Sequence, residues 1–210
     1  MKPLTGALIV AGTVLLVASA AQASSGGAGG GGGFNFDAYK QAIGVHESGS
    51  NYGSVNTIGY IGKYQFGAAA LTDLGYIKLS VYKQYPADDK NACLRDPDAW
   101  VAPHTRSGFL ADGPEQEKAM ERLTAMNRKR ITNSGVLTAR STAVEQGAWL
   151  AIAHGLGGGA AHKYFLRGEA KPDGYGTTAA QLYRVGAYSQ RHPYSFSASN
   201  KDAVKNGTLA

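Results

Sequence analysis

Apolar side chains recur at three- and four-residue spacing early in the chain, where Phe36, Tyr39, Ala42, Ile43 and His46 fall on one face of a helix. Asn35 or Asp37 can cap its start, and Ser48-Gly49 is a place for it to stop. Two longer helices announce themselves by their ends. Residues 113–131 open on Asp112 or Gly113, with Pro114 in the first turn and Glu115 and Glu117 facing the positive helix terminus. Ala119, Met120, Leu123, Asn127 and Ile131 form its inner stripe. The other helix starts at Thr142, which makes a capping box with Glu145. Its Val144, Ala148, Trp149, Ala151 and Ile152 are apolar around most of the circumference, so this helix is central.

Shorter segments fill the remainder. Residues 50–57 are polar and read as loop, and 59–67 alternate glycine with Tyr, Ile and Phe, as a short hairpin or an irregular segment. A short Ala-rich helix follows and stops at Gly75. Residues 77–109 scatter aromatics among Pro86, Pro97 and Pro103, which predicts loops and short helices that can form one rim of a groove. Short helices are expected over 163–167 and 179–185, separated by a turn at Asp173-Gly174-Tyr175-Gly176. The fold class is mainly α.

Glu47 falls in the last turn of the first helix, an unusual place for a carboxylate. The helix C-terminus is partially negative and an apolar neighbourhood is poorly solvating, so both favour the protonated acid. A protonated carboxylic acid on the wall of a cleft is what glycosidic bond cleavage requires, because the leaving oxygen must receive a proton. The alternative is a solvated carboxylate at a helix end with no chemical task.

The residues around Glu47 bear on that choice. Glu47-Ser48-Gly49, then Asn51, Asn56 and Gly62-Lys63-Tyr64-Gln65-Phe66, resemble the signature of the lysozyme-like superfamily in its lytic transglycosylase branch. Ala153-His154-Gly155, at the end of the central helix, resembles that family's second motif, although the usual Asn and the Pro after the first Gly are absent. The resemblance reaches more weakly to about Tyr188. It implies a lysozyme-like helical domain with a small strand or loop segment lining the cleft and Glu47 as catalytic acid and base. It also implies substrate contacts from Ser48, Asn56, Tyr60, Tyr64, Gln65 and His154. Of the aromatics near Gln65, Phe66 is expected in the core.

Composition adds context. Lys2, the apolar run over residues 7–17 and Ala21-Gln22-Ala23 read as a secretory signal peptide over 1–23, with an uncleaved anchor as the rival. Residues 24–33 are a Gly/Ser linker, 34–188 the catalytic domain and 189–210 a flexible tail. The chain is expected to be exported, periplasmic or secreted, with no stable membrane insertion after cleavage. Cys93 is the single cysteine, so no internal disulfide can form and Cys93 is most simply a small buried hydrophobe. A net charge of +6 suits an anionic polymer such as the cell wall. The tight basic group Arg128-Lys129-Arg130 ends a helix, where cations are favourable, and nucleic acid is not the expected partner. The five histidines lack a ligand pattern, so neither a metal nor another cofactor is expected.

Three readings follow. The first is a monomeric lytic transglycosylase that cuts the β-1,4 bond between N-acetylmuramic acid and N-acetylglucosamine in peptidoglycan strands, with no second carboxylate. The second is a hydrolase of the same fold, a muramidase or a chitin-active enzyme, with a second acid. The third is a peptidoglycan-binding adaptor that keeps the cleft without turnover.

Overall fold

The structure, a computed structural model, describes residues 33–193. The signal-peptide and linker expectations fall almost wholly outside these residues, as does most of the expected tail. Eight α-helices appear among the described residues: α1 (Phe36–Ser48), α2 (Ala68–Asp73), α3 (Leu79–Tyr82), α4 (Arg106–Ala111), α5 (Gly113–Asn133), α6 (Ala143–Leu156), α7 (Gly158–Arg167) and α8 (Ala179–Arg191). The fold is mainly α. Among the described residues β-pairing is limited to single-residue bridges, Val55 with Ile61, Ile61 with Phe66 and Ile77 with Trp100.

The helix ends form where the side chains can satisfy exposed backbone groups. Asn35 accepts from the Ala38 N–H at the start of α1, and Gly49, at φ 65°, closes it in a left-handed turn that other residues resist. Asp112 caps α5, and Thr142 and Thr178 each make a reciprocal capping box at α6 and α8. These ends fix the lengths of the helices that carry the core.

α6 is the axis of that core. Gly147, Ala148, Leu150, Ala151, Ile152 and Ala153 are all buried, and α5, α7 and α8 pack around them. α8 is the closest neighbour because Gly147 and Gly186 meet backbone to backbone; a Cβ on either would enter the other's carbonyl. α1 lies against α8, and its Tyr39, Ala42 and Ile43 are buried. The last helix runs on past Tyr188: Ser189 is fully buried, and Gln190 both donates to the Asn35 carbonyl and accepts from its N–H. α8 therefore ties the start of α1 to the end of the helical bundle.

Residues 49–67 hang between α1 and α2 and need an anchor. Glu117 of α5 supplies one. Its carboxylate accepts from Lys63 Nζ at 2.7 Å, the Tyr64 hydroxyl at 2.6 Å and the Tyr52 hydroxyl at 2.8 Å, with Lys40 Nζ at 3.1 Å. Burial alone would raise the Glu117 pKa, but these donors outweigh it and hold the carboxyl at about 2. Beside it, the Gln116 amide oxygen accepts from the Lys63 N–H and its nitrogen donates to the Tyr52 and Phe109 carbonyls. Residues 77–111 form short helical turns and loops in which Cys93 is buried.

Candidate active site

A cleft of about 580 Å³ opens where the C-terminal ends of α1 and α6 meet loop 49–67. Glu47 and His154 face each other in it, with Oε1 and Nε2 3.8 Å apart. α1 ends at Ser48 and so presents Glu47 in its last turn; α6 stops at Leu156, two residues after His154, and the following Gly157, at a φ of 84°, turns the chain into α7. Side chains at the ends of two helices thus converge on one point.

The electrostatics of the pair are set by burial. The Glu47 side chain is 20 % exposed, and loss of solvent, with the negative charge of Asp173 nearby, raises its pKa to about 8. At neutral pH the carboxyl keeps its proton. The His154 side chain is 5 % exposed, and burial lowers its pKa to about 4, against the hydrogen bond from Nε2 to the Tyr64 carbonyl at 3.0 Å. His154 is neutral, so it borders the acid without a charge that would strip its proton. Its Nδ1 is buried and has no hydrogen-bond partner among the protein atoms.

Gln65 stands at the tip of a tight loop closed by reciprocal backbone hydrogen bonds between Ile61 and Phe66. Its φ of 48° is left-handed, a conformation that costs a non-glycine residue about 1 kcal/mol or more, and its amide nitrogen donates to the Gly62 carbonyl. The strain is met by loop closure and Gln65 still lines the cleft. Asn56 and the half-buried Tyr60 also line it, the Asn56 side-chain Oδ1 accepting from the Ile58 and Tyr60 N–H groups.

Two of the expected substrate contacts lie elsewhere. Ser48 is turned into the protein: its hydroxyl donates to the Lys63 carbonyl at 2.7 Å and accepts from the Asn51 N–H, so it joins the end of α1 to the loop. Tyr64 is fully buried with its hydroxyl on Glu117, because one side of an irregular loop must point inward. Only its carbonyl, which holds His154, serves the site. Phe66 is buried as expected, although its edge reaches the cleft wall.

Several cleft residues carried no readable signal in the sequence. Asp173 and Tyr175 come from the α7–α8 loop, where a Gly-rich turn is the whole of the local pattern. Asp73 and Arg130 pair at 2.8 Å at another part of the wall, and Asp88, Asp89 and Lys90 give residues 77–111 their place as a rim. Among the described residues no group of three or more His, Cys, Asp or Glu is placed to hold a metal ion. A broader open depression of about 710 Å³ between α7 and α8 is bordered by Lys163, Arg167, Lys171 and an exposed Glu169.

No known protein family, curated protein or solved structure matches this chain.

Proposed function

We propose that the chain is an exported peptidoglycan lytic transglycosylase with a lysozyme-like fold and Glu47 as its general acid and base. The observation that carries this reading is a carboxyl that keeps its proton to about pH 8 on the wall of a cleft large enough for several sugar rings. Glu47 donates that proton to the glycosidic oxygen as the bond to C1 breaks and positive charge develops on the sugar. The substrate's N-acetyl carbonyl offsets the charge. The Glu47 carboxylate then takes the proton of the muramyl 6-hydroxyl as that oxygen closes on C1, which restores the acid and leaves a 1,6-anhydro end. The neutral His154 fixes one side of the acid, and Gln65 and Tyr60 offer an amide and a ring face to the glycan.

Asp173 favours a second reading, hydrolysis. A carboxylate across the cleft from the acid is the group that an inverting or retaining mechanism needs, as base for water or as nucleophile. Digestion of purified sacculi with mass analysis of the products separates the two, since the anhydro end is lighter than the hydrolysed end by one water. Anhydro products from both wild type and Asp173→Asn support the transglycosylase. Reducing ends from wild type, lost in Asp173→Asn, establish the hydrolase, and no cleavage of any kind defeats both.

A further inference from the structure

α7 has more outer surface than inner. Of its ten residues only Ala161 is buried, while Lys163, Phe165, Leu166 and Arg167 are all exposed. Leu166 is 62 % exposed, the most of any large apolar side chain among the described residues, and its neighbour Phe165 is 47 % exposed. Single apolar side chains are common on protein surfaces; two in succession on one helix are a patch. This patch has a firm base. The half-buried Trp149 of α6 meets Phe165 at 5.5 Å, Tyr164 at 6.1 Å and Tyr183 of α8 at 5.4 Å between ring centroids, all edge to face.

Cations surround the patch. Lys163 stands one turn from Leu166 on the helix surface, and Arg167 follows it in the chain. With Lys171 they border the depression between α7 and α8, where the exposed Glu169 is the one carboxylate. Among the described residues none of these three cations is in an ion pair. The cleft has the other balance: besides Glu47 it is bordered by Asp73, Asp88, Asp89 and Asp173 against Lys90 and Arg130. The two surfaces therefore present charge of opposite sign.

We propose that α7 and residues 168–171 dock on the surface of an anionic phospholipid bilayer. Leu166 and Phe165 enter the boundary between headgroups and acyl chains, and Lys163, Arg167 and Lys171 meet lipid phosphates. A soluble polyanion would use the three cations but leave both apolar side chains in water. A lipid surface takes both, and the Trp and Tyr rings behind them suit the same interface. A ten-residue helix is too short to cross a bilayer, so the contact is peripheral. The proposal does not depend on the role of Glu47. It adds a position for the molecule, because the chain that borders the depression at Lys171 borders the cleft at Asp173.

The test mixes the full chain with vesicles of phosphatidylcholine alone, and of phosphatidylcholine and phosphatidylglycerol in equal parts. Each Lys or Arg brought to an anionic surface strengthens attachment about fivefold, so sedimentation should show about tenfold or tighter binding to the anionic vesicles. High salt should remove that preference. The docked face is read directly by acylating amines in water and finding the modified lysines by mass spectrometry. Lys163 and Lys171 should react several-fold more slowly on anionic vesicles, and the exposed Lys83 at an unchanged rate. Lys163→Gln with Arg167→Gln should bind anionic vesicles about twentyfold more weakly than wild type. Leu166→Ser should weaken binding several-fold and leave its salt dependence in place. All three side chains are exposed, so melting curves should match wild type; the acylation pattern of wild type tests the docked face even where they do not. Equal binding to the two kinds of vesicle, or Lys163 acylated on them as fast as Lys83, overturns the proposal, whatever the apolar run over residues 7–17 does by itself. So do variants that fold and bind as wild type does. Retention on purified sacculi that the double variant loses, with no preference for anionic vesicles, overturns it too and assigns the surface to the wall polymer.

Discussion

Glu47 carries one proton more at neutral pH than an exposed glutamate would, and that proton is the centre of the proposal. Glu47→Gln keeps the shape and much of the hydrogen bonding of the side chain but has no proton to deliver. The variant should fold and bind glycan as wild type does while losing about a hundredfold or more in turnover. Sacculus clearance beside a melting curve checks this: near-normal clearance, or a loss that only follows unfolding, removes the catalytic role. At this scale the sequence was informative where the chemistry is local. The end of α1 places Glu47, and the glycine after α6 marks His154, so both could be read from neighbours in the chain. Asp173 could not, because it reaches Glu47 only when the α7–α8 loop returns across the cleft. Ser48 and Tyr64 depart from expectation for a related reason: neither the last residue of a helix nor an aromatic in an irregular loop has a period on both sides from which to tell inside from outside.

Helix ends were the most legible elements, since capping is a chemistry of residues close in sequence. Thr142 with Glu145 fixes the start of α6, and Pro114 with Asp112 that of α5. Glu117 shows the limit of that logic. Its position suits the positive helix end, yet the structure uses its carboxylate to hold Lys63, Tyr64 and Tyr52, partners more than fifty residues away that no local pattern names. The α6–α8 crossing was equally hidden, because Gly147 and Gly186 read as mild helix breakers until the other helix is present. There the reason for glycine is space. Gly147→Ala should push the helices apart and cost about 1–3 kcal/mol, the usual penalty for overfilling a packed interior. For a domain of this size that lowers the melting temperature by about 2–4 °C per kcal/mol. Gly135→Ala, at a turn with open space around the missing Cβ but a φ of 78°, separates the two causes. Its cost would be backbone strain alone, without any change in how α6 meets α8. Melting temperatures within a degree of wild type for Gly147→Ala would mean the crossing is looser than its geometry states.

For the whole molecule, three displaced titrations combine into one stability profile. Glu117, held at about 2 against its usual 4.5, gives stability that is present above pH 4.5 and lost as pH falls toward 2. His154, lowered from 6.5 to about 4, behaves alike: the unfolded chain binds its proton first, so stability falls as pH drops from 6.5 to 4. Glu47 has the opposite sign. Raised from 4.5 to about 8, it holds a proton in the folded state that the unfolded chain has released, so stability falls as pH rises between those values. One proton of difference changes stability by about 1.4 kcal/mol per pH unit. From pH 4.5 to 6.5 the His154 and Glu47 slopes cancel, and the profile should be nearly level. Below that range Glu117 and His154 act together and stability should fall steeply. Above it Glu47 acts alone, and wild type should lose about 2 kcal/mol between pH 6.5 and 8. Glu47→Gln removes only the negative slope, so the variant should gain stability up to pH 6.5 and then hold it to pH 8. Urea denaturation at pH 5.5, 6.5 and 8 tests this without reference to activity. Parallel profiles for the two proteins would show that Glu47 is already ionised at neutral pH, and an ionised Glu47 has no proton to give a leaving oxygen.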